Sequence, residues 1–309
     1  MSSDKAMISL VVPVYNEVTS IRELRDRATA TLEAMPYDFE IIMVDDGSSD
    51  GSLDLMKTLR QEDPRLRVLQ LSRNFGQSPA LYAGFSQVKG DFVVMIDADL
   101  QNHPEDIPLL IEKLEDGADM VSGWRRNRKD SIFRRLSSKF LNWYISRATG
   151  LPLHDFGCAL KAFRRELADH MGSFSHLCRY LPVDVASIEG NVVEVNVQHN
   201  ARTQGDSKYS LFKLVRTAID LLTAITAAPL QIIGMLGWLF AFVGFGMGIR
   251  VLIIRLINGN VLQTEAIFAL LFFLGGMQLV ATSLMCEYVS RIYTEVQRKP
   301  YYVIRREIE

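Results

Sequence analysis

Cysteine is scarce in this 309-residue chain: only Cys158, Cys178 and Cys286 are present, and no two form a CxxC pair. That excludes a disulfide-stapled scaffold and a structural zinc site. No GxGxxG follows the first apolar run and no GxxxxGK[ST] occurs. Neither the dinucleotide fingerprint nor the P-loop is therefore available to cradle phosphate. Charge is nearly balanced, 34 basic against 36 acidic side chains, so nothing draws the whole chain towards nucleic acid. The opening MSSDKAMISLVV lacks a basic n-region and a long apolar stretch and does not read as a signal peptide. Internal repeats and low-complexity tracts are absent too. What the chain has in excess is apolar residues, concentrated near the C-terminus.

Strand and helix signals alternate through the first two thirds. Buried-strand runs are expected at Ile8–Val12, Glu40–Val44, Arg67–Leu71, Phe92–Ile96, Asp119–Gly123 and Val192–Val197. Helices are expected from about Thr19 or Ser20, over Leu53–Arg60 and over Pro79–Val88, with DDGSSDGS supplying caps for the second. The alternation predicts an α/β domain with a mostly parallel, helix-covered sheet over residues 1–210.

The stretch FVVMIDADLQNHPE, Phe92–Glu105, is where chemistry is expected. Asp97 and Asp99 follow the apolar run at the carboxyl end of a strand, where open α/β sheets bind ligands. An extended Asp-x-Asp points both carboxylates to one face, and Gln101 continues the spacing with a neutral oxygen. Such a set suits Mg²⁺ or Mn²⁺ with positions left open for phosphate oxygens. A plain strand-end turn is the alternative. In His154–Glu166, HDFGCALKAFRRE, Asp155 reads as a loop residue near a site or a helix N-cap, and His154 as a turn or packing residue. The polar loop His199–Ser210 carries Arg202 and Lys208 and suits a lid over phosphates; an ordinary exposed loop is the alternative.

Arg125, Arg126, Arg128, Lys129, Arg134, Arg135 and Lys139 interleave with Phe133, Leu136, Phe140, Leu141 and Trp143, as in a basic amphipathic helix on anionic membrane. Residues 211–228 have the apolar stripe of an interfacial helix. Leu221–Ile249 and Ala266–Cys286 carry no charge, and each is long enough to cross ~30 Å of hydrocarbon. A two-helix transmembrane hairpin over 229–288 and a C-terminal tail over 289–309 follow. Lysine and arginine flank the pair on its outer ends, while the connecting segment has only Arg250 and Arg255, placed to snorkel. The expected topology puts the N-terminal domain and both termini in the cytoplasm.

In order, VVPVYNE, VDDGSSDGS, SRNFGQ, DADLQNHPE and the paired apolar spans resemble family 2 glycosyltransferases of GT-A fold. Within them the chain is most similar to polyprenyl-phosphate glycosyltransferases: dolichol-phosphate mannose synthases, bactoprenol glucosyltransferases and, nearest, bacterial undecaprenyl-phosphate formamido-arabinose transferases. The resemblance implies that Pro13, Tyr15, Glu17, Val44 and Asp46 hold the donor's base and ribose, with Asp97 and Ala98 lining the nucleotide. It implies a metal, Mg²⁺ or Mn²⁺, on Asp99 and Gln101 with Asp97 beside them, and phosphate contacts from Arg125, Arg128, Arg202, Ser207 and Lys208. Asp99, Asp155 and Arg202 are the catalytic candidates, Asp155 by steering the acceptor or donor sugar. The partners implied are a nucleotide-sugar, UDP favoured over GDP, a polyprenyl phosphate and membrane lipid. A homo-oligomer, a tetramer, at the bacterial inner membrane is implied with them. Gln77 departs from the lysine of many dolichol and bactoprenol enzymes, so their sugar specificity does not carry over. Two rivals are a processive polysaccharide synthase, which calls for a QxxRW motif and more spans, and a non-catalytic membrane protein that binds sugar-nucleotides.

Overall fold

The computed structural model describes residues 5–125, 146–147, 153–173, 190–200, 228–258, 263–296 and 301–308. Contacts divide the chain into two units, 1–208 with 299–309, and 209–298.

In the first unit the strands are β1 (Met7–Val14), β2 (Asp38–Asp45), β3 (Leu66–Leu71), β4 (Phe92–Met95), β5 (Met120–Trp124), β6 (Lys161–Arg164), β7 (Val192–Asn196) and β8 (Ile304–Ile308). The helices are α1 (Ile21–Glu33), α2 (Ser52–Glu62), α3 (Gln77–Phe85), α4 (Ile107–Glu115) and α5 (Arg165–Ser173). All eight strands form one sheet, in the order β7-β5-β6-β4-β1-β2-β3-β8. The block β4-β1-β2-β3 is parallel, with Leu10 beside Ile41 on one side and Val94 on the other. Its strands are apolar at nearly every position because both faces are covered. Leu10, Val12, Ile41 and Met43 pack with Leu24 of α1, Met56 of α2 and Leu110 of α4. Val11, Ile42, Val93 and Met95 face the other way, against Ala80, Tyr82 and Phe85 of α3 and Leu167 of α5.

Two strands were not expected. β6 runs antiparallel between β4 and β5, pairing Met95 and Ser122 with Lys161. Its four residues include a lysine, so no apolar run announces it. β8 lies within the expected C-terminal tail and pairs antiparallel on the edge of β3. Arg67 on β3 donates to Glu307 at 2.7 Å and to Glu40 at 2.8 Å, and Ser9 donates to Glu40 at 2.6 Å. Ahead of β8, Tyr301 meets Tyr82 edge-on with centroids 5.4 Å apart, and Ser72 N–H donates to the Val303 carbonyl.

In the second unit, α6 (Ala228–Asn258) and α7 (Gln263–Val296) contain windows, Ile233–Ile257 and Glu265–Ser290, long and apolar enough to cross a membrane. Arg250 is not merely snorkelling: it lies 3.7 Å from Glu265 of α7. The helices approach closely where side chains are missing. A Cβ on Gly237 would stand 2.9 Å from the Gly276 carbonyl oxygen, and one on Gly276 would overlap the Ala241 backbone, whereas one on Gly275 meets nothing within 4 Å. Gly276→Val is therefore expected to destabilise the hairpin by about 1–3 kcal/mol through overpacking, while Gly275→Val leaves it unchanged. Melting of the two variants in detergent checks this; equal midpoints would refute the packing. The interfacial helix expected at 211–228 lies outside the described residues, apart from Ala228, which opens α6.

Candidate functional site

The carboxyl ends of β1, β2 and β4 bring three loops together. After β1, Tyr15 is half exposed and Asn16 takes a left-handed φ of 56°. Asn16 N–H donates to Ser48 Oγ at 3.1 Å, and Asn16 Oδ1 accepts from Ser49 N–H at 2.8 Å. Glu17 N–H donates to Ser52 Oγ and Val18 N–H to Asp50, each at 3.0 Å. The serines and aspartate of DDGSSDGS thus tie the second loop to the first; the expected side-chain cap of α2 is not formed, and Gly51 stands at its N-cap. Gly47 is required at φ 75°, since a Cβ there would stand 2.8 Å from Asn74 N.

Pro13 and Val44 are register partners at the ends of β1 and β2, both buried. Asp46 is buried as well, and its two oxygens accept from Phe75 N–H at 2.7 Å and Gly76 N–H at 2.9 Å. Burial pushes its carboxyl up, and the two N–H donors hold it back. The residue expected at the base thus also holds the loop after β3. Its neighbour Asp45, which the sequence reading passed over, accepts from Ser48 N–H through Oδ1, while Oδ2 is buried without a donor among the described residues.

β4 ends at Met95, and Asp99 sits in a turn, not on an extended strand as the Asp-x-Asp spacing implied. Leu100 makes the turn with φ 59°, a conformation that costs a branched side chain about 1–3 kcal/mol. Asp99 Oδ1 accepts from Gln101 N–H at 3.1 Å, and Gln101 carbonyl from Asn200 N–H at 3.0 Å. Gln77 donates to Asp97 Oδ1 at 2.5 Å, so the residue that departs from the resemblance contacts the carboxylate pair itself. Asp97 is pushed up to about 6, by burial first and by the charge of Asp99 second. A carboxylate raised by the charge of a neighbouring carboxylate marks a place for a cation. Among the described residues no cluster of three or more His, Cys, Asp or Glu is built to hold a metal. The donors at this turn are Asp97, Asp99 and the Gln101 amide. That incomplete set fits a hard cation that takes its remaining ligands from water and phosphate.

Beyond β5, Arg125 and Asp155 clasp each other: Nε to Oδ2 at 2.7 Å and Nη2 to Oδ1 at 2.9 Å, both side chains buried. Asp155 also accepts from the N–H groups of Arg125 and Gly157. Both oxygens of Asp155 are thus engaged by Arg125 and by backbone N–H groups. Next to the pair, Trp124 stacks on His154 at 4.6 Å, and His154 Nδ1 lies 2.8 Å from Glu194. His154 is a packing residue, as expected. Lys161, missed entirely, is 2% exposed beneath this group, with Nζ against Ser122 Oγ at 3.1 Å and the carbonyls of Phe156 and Cys158. Alternation alone could have flagged it, since Lys161 and Phe163 must share a face. Arg128, Arg202, Ser207 and Lys208 lie outside the described residues.

Residues 9–172 match the glycosyl transferase family 2 domain. The chain is 40% identical over 303 residues to the undecaprenyl-phosphate 4-deoxy-4-formamido-L-arabinose transferase of Photorhabdus laumondii subsp. laumondii, covering 97% of this chain and 93% of that protein. The transferase of the same description from Proteus mirabilis matches with the same identity and coverage. Among solved structures, glucosyl-3-phosphoglycerate synthase from Mycobacterium tuberculosis in complex with UDP superposes with a TM-score of 0.53 at 22% identity, covering 71% of this chain and 79% of that one. The same enzyme with Mn²⁺, UDP and glucosyl-3-phosphoglycerate gives 0.53 at 23%, covering 71% and 80%. At that identity the likeness establishes the GT-A fold.

Proposed function

The chain belongs to glycosyl transferase family 2, and from that premise we propose that it transfers a sugar from a nucleoside diphosphate to a polyprenyl phosphate at a membrane surface. The observation that carries this reading is the carboxylate pair Asp97 and Asp99 just beyond the carboxyl end of β4, where Gln77 donates to Asp97. Match over nearly the whole chain to undecaprenyl-phosphate transferases supports the acceptor, and two membrane-length helices supply a surface where such a lipid resides. In this reading the catalytic unit and both termini face the cytoplasm.

Asp99 and Gln101, with Asp97, would hold Mg²⁺ or Mn²⁺, which when bound supplies positive charge to the departing diphosphate. The chain's own residues orient the donor. Pro13 at the end of β1, Tyr15 and Glu17 on the loop that follows and Val44 at the end of β2 line the base and ribose, while Asp46 fixes the Phe75–Gly76 turn. Arg125, pinned by Asp155, presents a fixed positive charge that does not need reorganising during transfer. Arg128, Arg202, Ser207 and Lys208 are proposed as further phosphate contacts. A lipid phosphate is largely ionised at neutral pH, its second pKa being about 6, so no general base is required, in keeping with the engagement of Asp155. Alignment of two anions and neutralisation of their charge then carry most of the rate, and in-line attack inverts the anomeric centre.

The test is a panel of UDP- and GDP-sugars, with a 4-deoxy-4-formamido-L-arabinose donor first, offered to the purified full chain with undecaprenyl phosphate and Mn²⁺. Nucleoside diphosphate release that depends on the lipid is expected for one donor. Binding of a nucleotide-sugar without release across the panel would favour the non-catalytic reading.

A further inference from the structure

Lys161 stands out as a buried cation with no assigned task. It lies on β6 in register with Met95, two residues before Asp97, and with Ser122. Its side chain belongs to the face that carries Phe163, Val93 and Met95, so its stem runs through apolar core. Nζ then emerges under the turn that follows Asp155 and meets three oxygens: Ser122 Oγ at 3.1 Å, Phe156 carbonyl at 3.5 Å and, closer, Cys158 carbonyl. Three N–H groups facing three oxygens is the complement of an ammonium ion. Burial pushes the ammonium down from the ordinary lysine range, Cys158, Asp155 and Asp97 oppose that, and Arg125 adds to it. Placing a cation in this core is costly in isolation. An apolar residue would fill the stem's volume, so the ammonium has to be explained by what lies above it.

We propose that Lys161 is the positioning cation of the donor site: it holds the Phe156–Cys158 turn from which Asp155 clamps Arg125, and it sets the charge beneath the Asp97–Asp99 pair. Two effects of opposite sign follow. Before donor binding, the ammonium partly balances the pair and so competes with a divalent cation. Once a diphosphate is present, the same charge favours the anion, and the turn keeps Arg125 in place. This rests on the carboxylate pair being the cation site.

Lys161→Met retains the stem and removes the charge; Lys161→Gln also removes the charge but keeps a donor for the carbonyls and serves if the methionine variant does not fold. Lys161→Arg retains the charge. Binding of Mn²⁺ alone to the full chain in detergent is read from the spin-resonance signal of the free ion, and UDP binding from titration calorimetry. The expected result is Mn²⁺ bound about ten-fold or more tightly by the neutral variants, the direction that removing a like charge near a divalent ion gives by Coulomb's law. UDP binding and kcat fall in the same proteins, and the arginine variant stays near wild type in Mn²⁺ affinity. Folded neutral variants that bind Mn²⁺ with unchanged or weaker affinity would overturn the proposal, because a purely structural lysine can only loosen the site. Wild-type protein that binds no Mn²⁺ would overturn the assignment of Asp97 and Asp99 instead, and the charge role of Lys161 with it.

Discussion

Asp99→Asn is expected to lower turnover by about 10²–10³-fold or more, the scale on which loss of one electrostatic contact to a departing oxyanion is felt. The asparagine keeps the size of the side chain and can still accept the bond from Gln101 N–H, so the turn at Leu100 should persist. What disappears is the negative charge that, after burial, most raises Asp97. The consequence for stability has the opposite sign to that for activity. A carboxyl raised in the folded state opposes folding at pH values above about 6, where it must ionise in place, and the penalty fades as pH falls towards the unfolded value of about 4. Removing Asp99 lowers Asp97 towards its ordinary range and lifts part of that penalty. Metal-free Asp99→Asn should thus melt at or above wild type at pH 8, the difference narrowing by pH 5. Initial rates at saturating Mg²⁺ and Mn²⁺, with melting at both pH values, decide it. Near-normal turnover would end the metal assignment, and a large drop in melting would show that Asp99 is structural.

Deleting residues 301–309 is expected to destabilise the catalytic unit by about 3 kcal/mol or more, although the segment contains none of the proposed site residues. It removes the edge-on contact between Tyr301 and Tyr82, worth about 0.5–1.5 kcal/mol beyond its buried area. It also removes the partner of Arg67 that leaves Glu40 and Ser9 in one connected group. The β3 edge would then present unpaired N–H and C=O groups, a template for aggregation. Cutting the chain after Ser210 carries the same loss, so a soluble catalytic fragment should fold poorly unless 299–309 is rejoined through a flexible linker. If nucleotide binding survives in the rejoined fragment while transfer to bilayer-embedded lipid falls, the hairpin's task is to bring enzyme and acceptor together. Unchanged melting after deletion of 301–309 would show that β8 adds nothing.

The parallel block β4-β1-β2-β3 was legible in the sequence because each strand is buried on both faces and is therefore largely apolar. The Asp97–Asp99 motif was legible for a related reason: charge that ends an apolar run marks where a strand leaves the core. The membrane-length helices were read the same way, from long uncharged runs, since only a uniformly apolar surface suits lipid. β6 and β8 were not legible, being short and rich in Lys and Arg, and strand pairing with a distant partner is invisible to any local pattern. Nor could spacing show that Asp46 turns to the Phe75–Gly76 backbone, that Gln77 reaches Asp97, or that Asp155 pins Arg125 across 30 positions. Local sequence fixes what each segment must bury. Which oxygen meets which N–H, and so which charges remain for a ligand, is set only when β6 reverses between β4 and β5 and draws Lys161, Arg125 and Asp155 up to the carboxylate pair.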